Sequence, residues 1–102
     1  MNRARQKVED EGRCRICGTN RGLEAAHIIA RSSTKAARGY DDPDNIVPLC
    51  REHHQQFDLR QLDVLPVLSF EEQARAVELV GLERARKRVA PTLYQHERKG
   101  AT

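Results

Sequence analysis

The sequence is poor in the residues that build a hydrophobic core. Its 102 residues include no Trp, two Phe and two Tyr, so aromatic residues make up 4% of the chain, whereas 32% of the residues are charged. Ordering one residue costs roughly 1.5 kcal/mol of conformational entropy, and burial returns about 25 cal/mol per Å² of apolar surface. The length predicts a single domain, and we expect that domain to need a metal ion, disulfides or a partner for stability.

Long apolar segments are also lacking. No run of 18 apolar residues occurs, and the opening residues MNRARQKVEDEG contain no apolar stretch. We therefore expect neither a transmembrane helix nor a signal peptide, and a cytoplasmic location. Cysteine is scarce, and three is an odd number that fits a fully paired disulfide framework poorly. In a cytosolic chain, cysteines near histidine are usually metal ligands.

The charges are distributed unevenly along the chain. Residues 1–38 carry nine Lys and Arg against four Asp and Glu, residues 41–83 carry three against ten, and residues 84–102 carry six against one. Two basic segments flanking an acidic centre suit a protein that binds a polyanion, although an ordinary solvated surface is the alternative. The basic run near the end is a candidate second contact with a nucleic-acid duplex; it comprises Arg84, Arg86, Lys87 and Arg88.

All three cysteines lie in two matched half-sites. Cys14-x-x-Cys17 and Cys50-x-x-His53 have the spacing of paired ligands that close a tetrahedral zinc ion, and Gly18 suits the tight turn that the first pair needs. Four protein ligands leave no open position for substrate, so the site is predicted to be structural. Its binding energy, on the order of 10 kcal/mol or more, would supply the stability that the core lacks.

A coarse assignment of elements places these motifs. We predict a short polar segment that can form a helix over residues 2–11, strands over 23–29 and 46–49, a polar loop between them, and a helix over 51–59. A connector precedes a helix over 70–80, with Ser69 as its N-cap and an apolar stripe of Phe70, Ala74, Val77 and Val80. A helix over 82–89 follows, and the polar end is expected to fray.

The helix over 51–59 carries a second candidate metal site. His54 and Asp58 are four residues apart and share one face, whereas His53 points about 100° away and is free to serve the zinc. An imidazole and a carboxylate together suit Mg²⁺, Mn²⁺ or Ni²⁺. Taken singly, each residue is also compatible with an ordinary helix surface.

Taken together, these residues resemble the HNH family of metal-dependent endonucleases. The resemblance covers roughly residues 13–60, including AAHIIARS (25–32) and DDPDNIVPLCREHHQQFD (41–58), with the three signature residues His27, Asn45 and His54 in order. It implies an α+β fold with a small ββα-metal core, in which two antiparallel strands, a loop and a helix surround one cation. A Cys3His zinc site and two short C-terminal helices complete the expected fold. The single domain would divide into a polar segment (1–12), the core (13–60), a helical appendage (61–95) and a flexible tail (96–102).

The resemblance also implies roles. His27 would be the general base, His54 and Asp58 would hold the catalytic cation, and Asn45 would fix the loop that orients His27. The basic loop is expected to contact the DNA backbone through Arg31, Lys35 and Arg38. Many family members carry Asp or His just before the base histidine as a further ligand, whereas this chain has Ala26.

Two alternatives to a DNA endonuclease stay open. One is a DNA-binding module that is stabilised by zinc and has no catalytic activity, and the other is an adaptor that contacts proteins. Ala26 favours them, whereas the joint presence of His27, His54 and Asp58 argues for the enzyme. Small chains that resemble this one occur in phages and prophages, so the expected partners are DNA and either a second copy or a larger phage or bacterial complex.

Overall fold

The computed structural model describes residues 3–30 and 42–100, with side chains described as far as residue 95. The α-helices and strands in chain order are α1 (Arg3–Glu11), β1 (Leu23–His27), β2 (Ile46–Cys50), α2 (Arg51–Asp58), α3 (Phe70–Val80), α4 (Leu82–Val89) and α5 (Pro91–Gly100), with 3-10 turns at Pro43–Asn45 and Leu65–Val67. The predicted α+β class is confirmed. The predicted DNA-contact residues Arg31, Lys35 and Arg38 lie outside the described residues.

Strands β1 and β2 form an antiparallel pair that sets the position of α2. Leu23 lies opposite Cys50 and His27 opposite Ile46. Helix α2 begins directly after β2, so Cys50 is both the last strand residue and the N-cap of the helix. Ala26 lies in the main apolar cluster with Phe57 of α2. A second cluster joins α1 to the sheet, and its members are Ala4, Val8 and Ile46, flanked by Leu23 and Ala25. Helices α1 and α2 therefore cover opposite faces of the strand pair.

Helix α3 begins where predicted but presents a different face to the core. Ser69 forms a capping box with Glu72, as its position before the helix suggested. The predicted apolar stripe is wrong at Phe70, which is 80% exposed, and at Val77, which is 38% exposed, whereas Val80 does pack against the main cluster. The buried residues of this helix are instead Glu72 and Ala76.

A buried ion-pair network explains this orientation of α3. The Glu72 carboxylate forms ion pairs with Arg15 Nη1, at 2.7 Å, and with Lys7 Nζ, at 2.6 Å. Only 2% of the Glu72 side chain is exposed. Burial alone would raise the pKa of Glu72, but Arg15, Lys7 and the Ser69 N–H lower it to about 2. The same guanidinium pairs with Glu11 at 2.6 Å, and these two carboxylates raise the pKa of Arg15 above its usual range. Counting apolar positions cannot detect a helix that buries a paired charge.

The described chain ends in a third C-terminal helix, which follows α3 and α4. The sequence predicts two C-terminal helices and a flexible tail from residue 96, whereas α5 continues through Gly100. Buried Pro91 occupies the first helical position, which proline favours. The Asp63 carboxylate accepts hydrogen bonds from the backbone N–H of Thr92, at 3.0 Å, and from its hydroxyl. This cap comes from a distant connector, so the local sequence did not indicate it. In the described part of the chain, no helix has the length and apolar character needed to cross a membrane.

Candidate active site and metal centre

Four metal-ligating side chains meet where residues 14–17 approach the start of α2. They are Cys14, Cys17, Cys50 and His53, and one ligand atom from each lies within 4.8 Å of the others. Cys17 Sγ lies 3.9 Å from Cys50 Sγ, and His53 Nδ1 lies 3.7 Å from Cys14 Sγ and 3.2 Å from Cys50 Sγ. Tetrahedral zinc with bonds of about 2.0–2.3 Å requires ligand atoms roughly 3.5–3.8 Å apart. The donor set and its spacing therefore fit a metal ion such as zinc, and the predicted grouping is confirmed.

Local backbone geometry explains how the first pair of cysteines is held. Gly18 has a φ of 76°, a left-handed conformation that glycine adopts readily, and its N–H bonds the Cys14 carbonyl at 2.9 Å. The N–H of Ile16 lies 3.4 Å from Cys14 Sγ. Burial raises the pKa of Cys14, but surrounding backbone N–H groups and His53 lower it to about 6. The thiolate form of Cys14 is thus favoured. At Cys50 the backbone N–H of His53 lowers the pKa, but burial and the neighbouring thiols Cys17 and Cys14 outweigh it and raise the pKa of Cys50.

His54 lies between two carboxylates on the exposed side of α2. Its Nδ1 is 2.9 Å from Glu24 Oε1, and its Nε2 is 3.4 Å from Asp58 Oδ2. All three residues line an open cavity of about 300 Å³, together with Arg51 and Gln55. The predicted pair is thus brought together, and Glu24 is a third member that was not predicted from the sequence. A signal existed, because alternation along β1 places Glu24 on the same strand face as Ala26.

Asn45 is fully buried and fixes the chain just after His27. Its side-chain carbonyl accepts the N–H of Ile29 at 2.9 Å, and its side-chain amide donates to the Ile29 carbonyl at 3.0 Å. Its backbone carbonyl accepts the N–H of Ile28 at 2.8 Å. Three hydrogen bonds therefore set the direction in which the chain leaves β1.

Arg88 of α4 reaches the same region from outside the ββα elements. Its guanidinium bonds the carbonyls of Ile28 at 2.8 Å, Phe57 at 3.2 Å and His27 at 3.3 Å, and it donates to Asp58 Oδ1 at 3.0 Å. It also stacks over the Phe57 ring at 3.8 Å. One side chain thereby joins the end of β1 to the end of α2. In the sequence, Arg88 is recognisable only as one cation in a basic run.

His27 is half-buried and closes β1. Arg88 donates hydrogen bonds both to the His27 carbonyl and to Asp58. His27 is not one of the described residues that line the cavity beside His54. Strand alternation accounts for this, since His27 follows Ala25 rather than Glu24 and Ala26. The predicted base and the predicted cation ligands therefore approach the end of β1 from different sides.

The family comparison agrees with this geometry. The family model described as HNH endonuclease matches residues 14–64, which is half of the chain. The chain belongs to the HNH endonuclease family. No curated protein and no solved structure gives a significant match.

The family match separates the site into two parts. The HNH residues 14–64 include the Cys3His cluster, the strand pair and all of α2. Arg88 and Glu72, which hold these elements from α4 and α3, lie beyond that match. In this HNH endonuclease family member, the C-terminal helices thus contribute directly to the contacts around the candidate site.

Proposed function

We propose that this protein is a metal-dependent DNA endonuclease that hydrolyses phosphodiester bonds. The observation that carries the proposal is the link that Arg88 makes between Asp58, the neighbour of His54, and the backbone of His27 at the end of β1, within a chain of the HNH family. Cleavage would leave a 5′-phosphate end and a 3′-hydroxyl end on the DNA strand, as the family resemblance implies.

His54 and Asp58 are the proposed ligands of one divalent cation, Mg²⁺, Mn²⁺ or Ni²⁺. Octahedral coordination with bonds of about 2.1 Å places neighbouring ligand atoms roughly 3.0 Å apart, and His54 Nε2 lies 3.4 Å from Asp58 Oδ2. A nitrogen and an oxygen donor beside an open cavity fit such an ion and leave room for water and phosphate. When bound, the cation would neutralise charge on the scissile phosphate and on the leaving 3′ oxygen.

Glu24 is proposed to position His54. Its carboxylate can accept the Nδ1–H of the ring at 2.9 Å, which leaves Nε2 unprotonated and directed toward Asp58. Metal-binding histidines commonly have such a carboxylate partner, which fixes both tautomer and ring orientation. In this chain, Glu24 would offset part of the loss of a ligand at Ala26, since both residues belong to the same strand face.

His27 is the proposed general base. In an in-line displacement, the attacking water lies opposite the leaving oxygen, so base and cation must act from different sides of the phosphorus. The position of His27 on the strand face opposite Glu24 supports this role. Asn45 would hold the following residues rigid, so that the imidazole takes a proton from water in a fixed geometry. The Cys3His cluster would bind zinc in a structural role.

A plasmid-nicking assay tests this proposal. Zinc-loaded protein is freed of other divalent cations by dialysis and then given Mg²⁺, Mn²⁺ or Ni²⁺. We expect nicking that requires added cation, is reduced about 10²–10⁴-fold in His27→Ala, and is lost in His54→Ala. Glu52→Gln, an exposed substitution on the same helix, is the matched control and should nick like wild type.

Two results would overturn the assignment. Equal nicking by wild type and His27→Ala would remove His27 as the base. Salt-dependent DNA binding without cleavage in any of the three cations would favour the noncatalytic DNA-binding module. Ala26 is compatible with that alternative, because it replaces a metal ligand of many family members.

A further inference from the structure

We propose that a basic cavity beside the candidate active site binds a DNA phosphate next to the one that is cleaved. This inference rests on the proposed DNA endonuclease function. The α4 cavity has a volume of about 370 Å³ and opens between the residues after β1 and the helices α3 and α4. Its cationic lining residues are Arg60, Arg84, Lys87 and Arg88. None of its described lining residues is acidic; the others are aliphatic.

The α4 cavity is connected to the candidate active site through Arg88. That guanidinium lines the cavity and also donates to Asp58 and to the carbonyl of His27. A strand whose scissile phosphate lies at His54 and Asp58 would therefore meet the cavity at the adjoining part of its backbone. Arginine and lysine side chains in such a site recognise phosphate by charge-assisted hydrogen bonds.

The backbone of Arg60 is an independent indication of function. Arg60 has a φ of 61°, and it is the one described residue other than glycine with a positive φ. It follows the C-cap Leu59 of α2, a position where glycine is the usual and more stable choice. A charged residue kept in a strained conformation at the rim of a cavity is typical of a functional site.

Three cations of the basic run of α4 line the α4 cavity together with Arg60, and they are Arg84, Lys87 and Arg88. Arg88 is also bound to the active-site elements. Lys87 Nζ is 4.0 Å from Glu83 Oε1, and both side chains are substantially exposed. Lys87 Nζ also lies 5.3 Å from the centre of the Tyr94 ring. Exposed contacts of these kinds are weak, so Lys87 can exchange them for a phosphate at little cost.

The experiment separates DNA contact from stability at Arg60. Binding of a fluorescent DNA duplex is measured by anisotropy over a KCl series, with zinc-loaded protein and without other divalent cations. Arg60→Gly removes the positive charge and introduces glycine, the residue that a positive φ favours. We expect the melting temperature of this variant to stay level or rise. Its Kd for DNA should increase about threefold or more. The salt slope, which is the slope of log Kd against log KCl concentration, should fall by about one. Adding Lys87→Gln should lower the slope by about two in total.

Arg5→Gln is the charge-matched control. Arg5 lies on α1, across the strand pair from α2, and 77% of its side chain is exposed. Its substitution should leave the salt slope within about 0.3 of wild type. An unchanged slope in the double variant would overturn the inference, and so would an equal loss in Arg5→Gln. If Arg60→Gly fails to fold, Lys87→Gln alone decides the same question through its salt slope.

Failure of this inference can be distinguished from failure of the proposed function. A protein that nicks DNA but keeps its salt slope in the double variant lacks the phosphate subsite and retains the endonuclease activity. A protein whose binding depends on Arg60 and Lys87 but that never nicks DNA has the subsite and lacks the activity.

Discussion

Arg88 donates to the Asp58 carboxylate across 3.0 Å, from a helix that begins 24 residues after α2 ends. The same guanidinium bonds the carbonyl of His27, so one side chain spans the proposed cation ligand and the proposed base. Only 18% of the Arg88 side chain is exposed. The relative placement of these two residues therefore depends on α4.

Replacing Arg88 should disturb both stability and cation binding. Arg88→Met leaves the carbonyls of His27, Ile28 and Phe57 without this donor, and we expect a loss of about 2–4 kcal/mol in the free energy of unfolding. Mn²⁺ should also bind more weakly, because Asp58 is no longer oriented. Urea denaturation and calorimetric titration of zinc-loaded protein measure the two effects. Arg86→Met on the exposed side of α4 is the control, and a loss as large there would contradict the argument.

Glu24→Gln should weaken the proposed cation site without unfolding the protein. The amide keeps the size of the side chain but orients the His54 ring less strongly than a carboxylate. Carboxylates that support metal-binding histidines typically contribute 10–100-fold in affinity, so we expect the Kd for Mn²⁺ to rise by about that factor. Titration calorimetry provides the Kd, and circular dichroism checks the fold. Identical Mn²⁺ affinity in the variant would show that Glu24 is a surface residue only.

Glu72 should make stability depend on acid pH. Its pKa is about 2 in the folded chain and about 4.5 when unperturbed, so its contribution is present above pH about 4.5 and is lost as pH falls toward 2. A shift of this size corresponds to about 3 kcal/mol. Glu72→Gln should lower stability near neutral pH by a similar amount and flatten the acid limb of the curve. Glu71→Gln, at the exposed neighbouring position, should behave like wild type, and a matching loss there would exclude the ion-pair network as the cause.

Opening the Cys3His cluster should cost the protein its fold. Cys50→Ser removes one of four ligand atoms, and structural zinc sites contribute on the order of 10 kcal/mol. We expect loss of the thermal transition in Cys50→Ser, and a strong chelator should have the same effect on wild type. Differential scanning calorimetry with and without chelator is the measurement. A variant that melts at the wild-type temperature would rule out a structural metal at this cluster.

The parts of the site that the sequence predicted are those encoded by short spacings. Cys14 and Cys17, or His54 and Asp58, are neighbours in space because a turn or one helical turn makes them so. Glu24 could have been found in the same way, from strand alternation before Ala26. The ligand chemistry of cysteine and histidine then indicated the metal without any tertiary information.

The contacts that the sequence did not predict join residues far apart in the chain. Arg88 and Asp58 are 30 residues apart, and Arg15 and Glu72 are 57 apart. Helical periodicity assigned Phe70 to the core because it is apolar, whereas the paired charge of Glu72 determined which face of α3 is buried. Asp63 caps α5 from a connector that has no periodic pattern. Such pairings depend on the complete fold, and local patterns do not contain them.

Arg15 lies between Cys14 and Cys17, two of the candidate metal ligands, and its guanidinium is also the principal partner of Glu72. The residues that would enclose the metal are therefore covalently continuous with those that anchor α3. We therefore expect one cooperative unfolding transition, in which release of the metal ion and detachment of the C-terminal helices occur together. No stable half-folded intermediate should separate the two events.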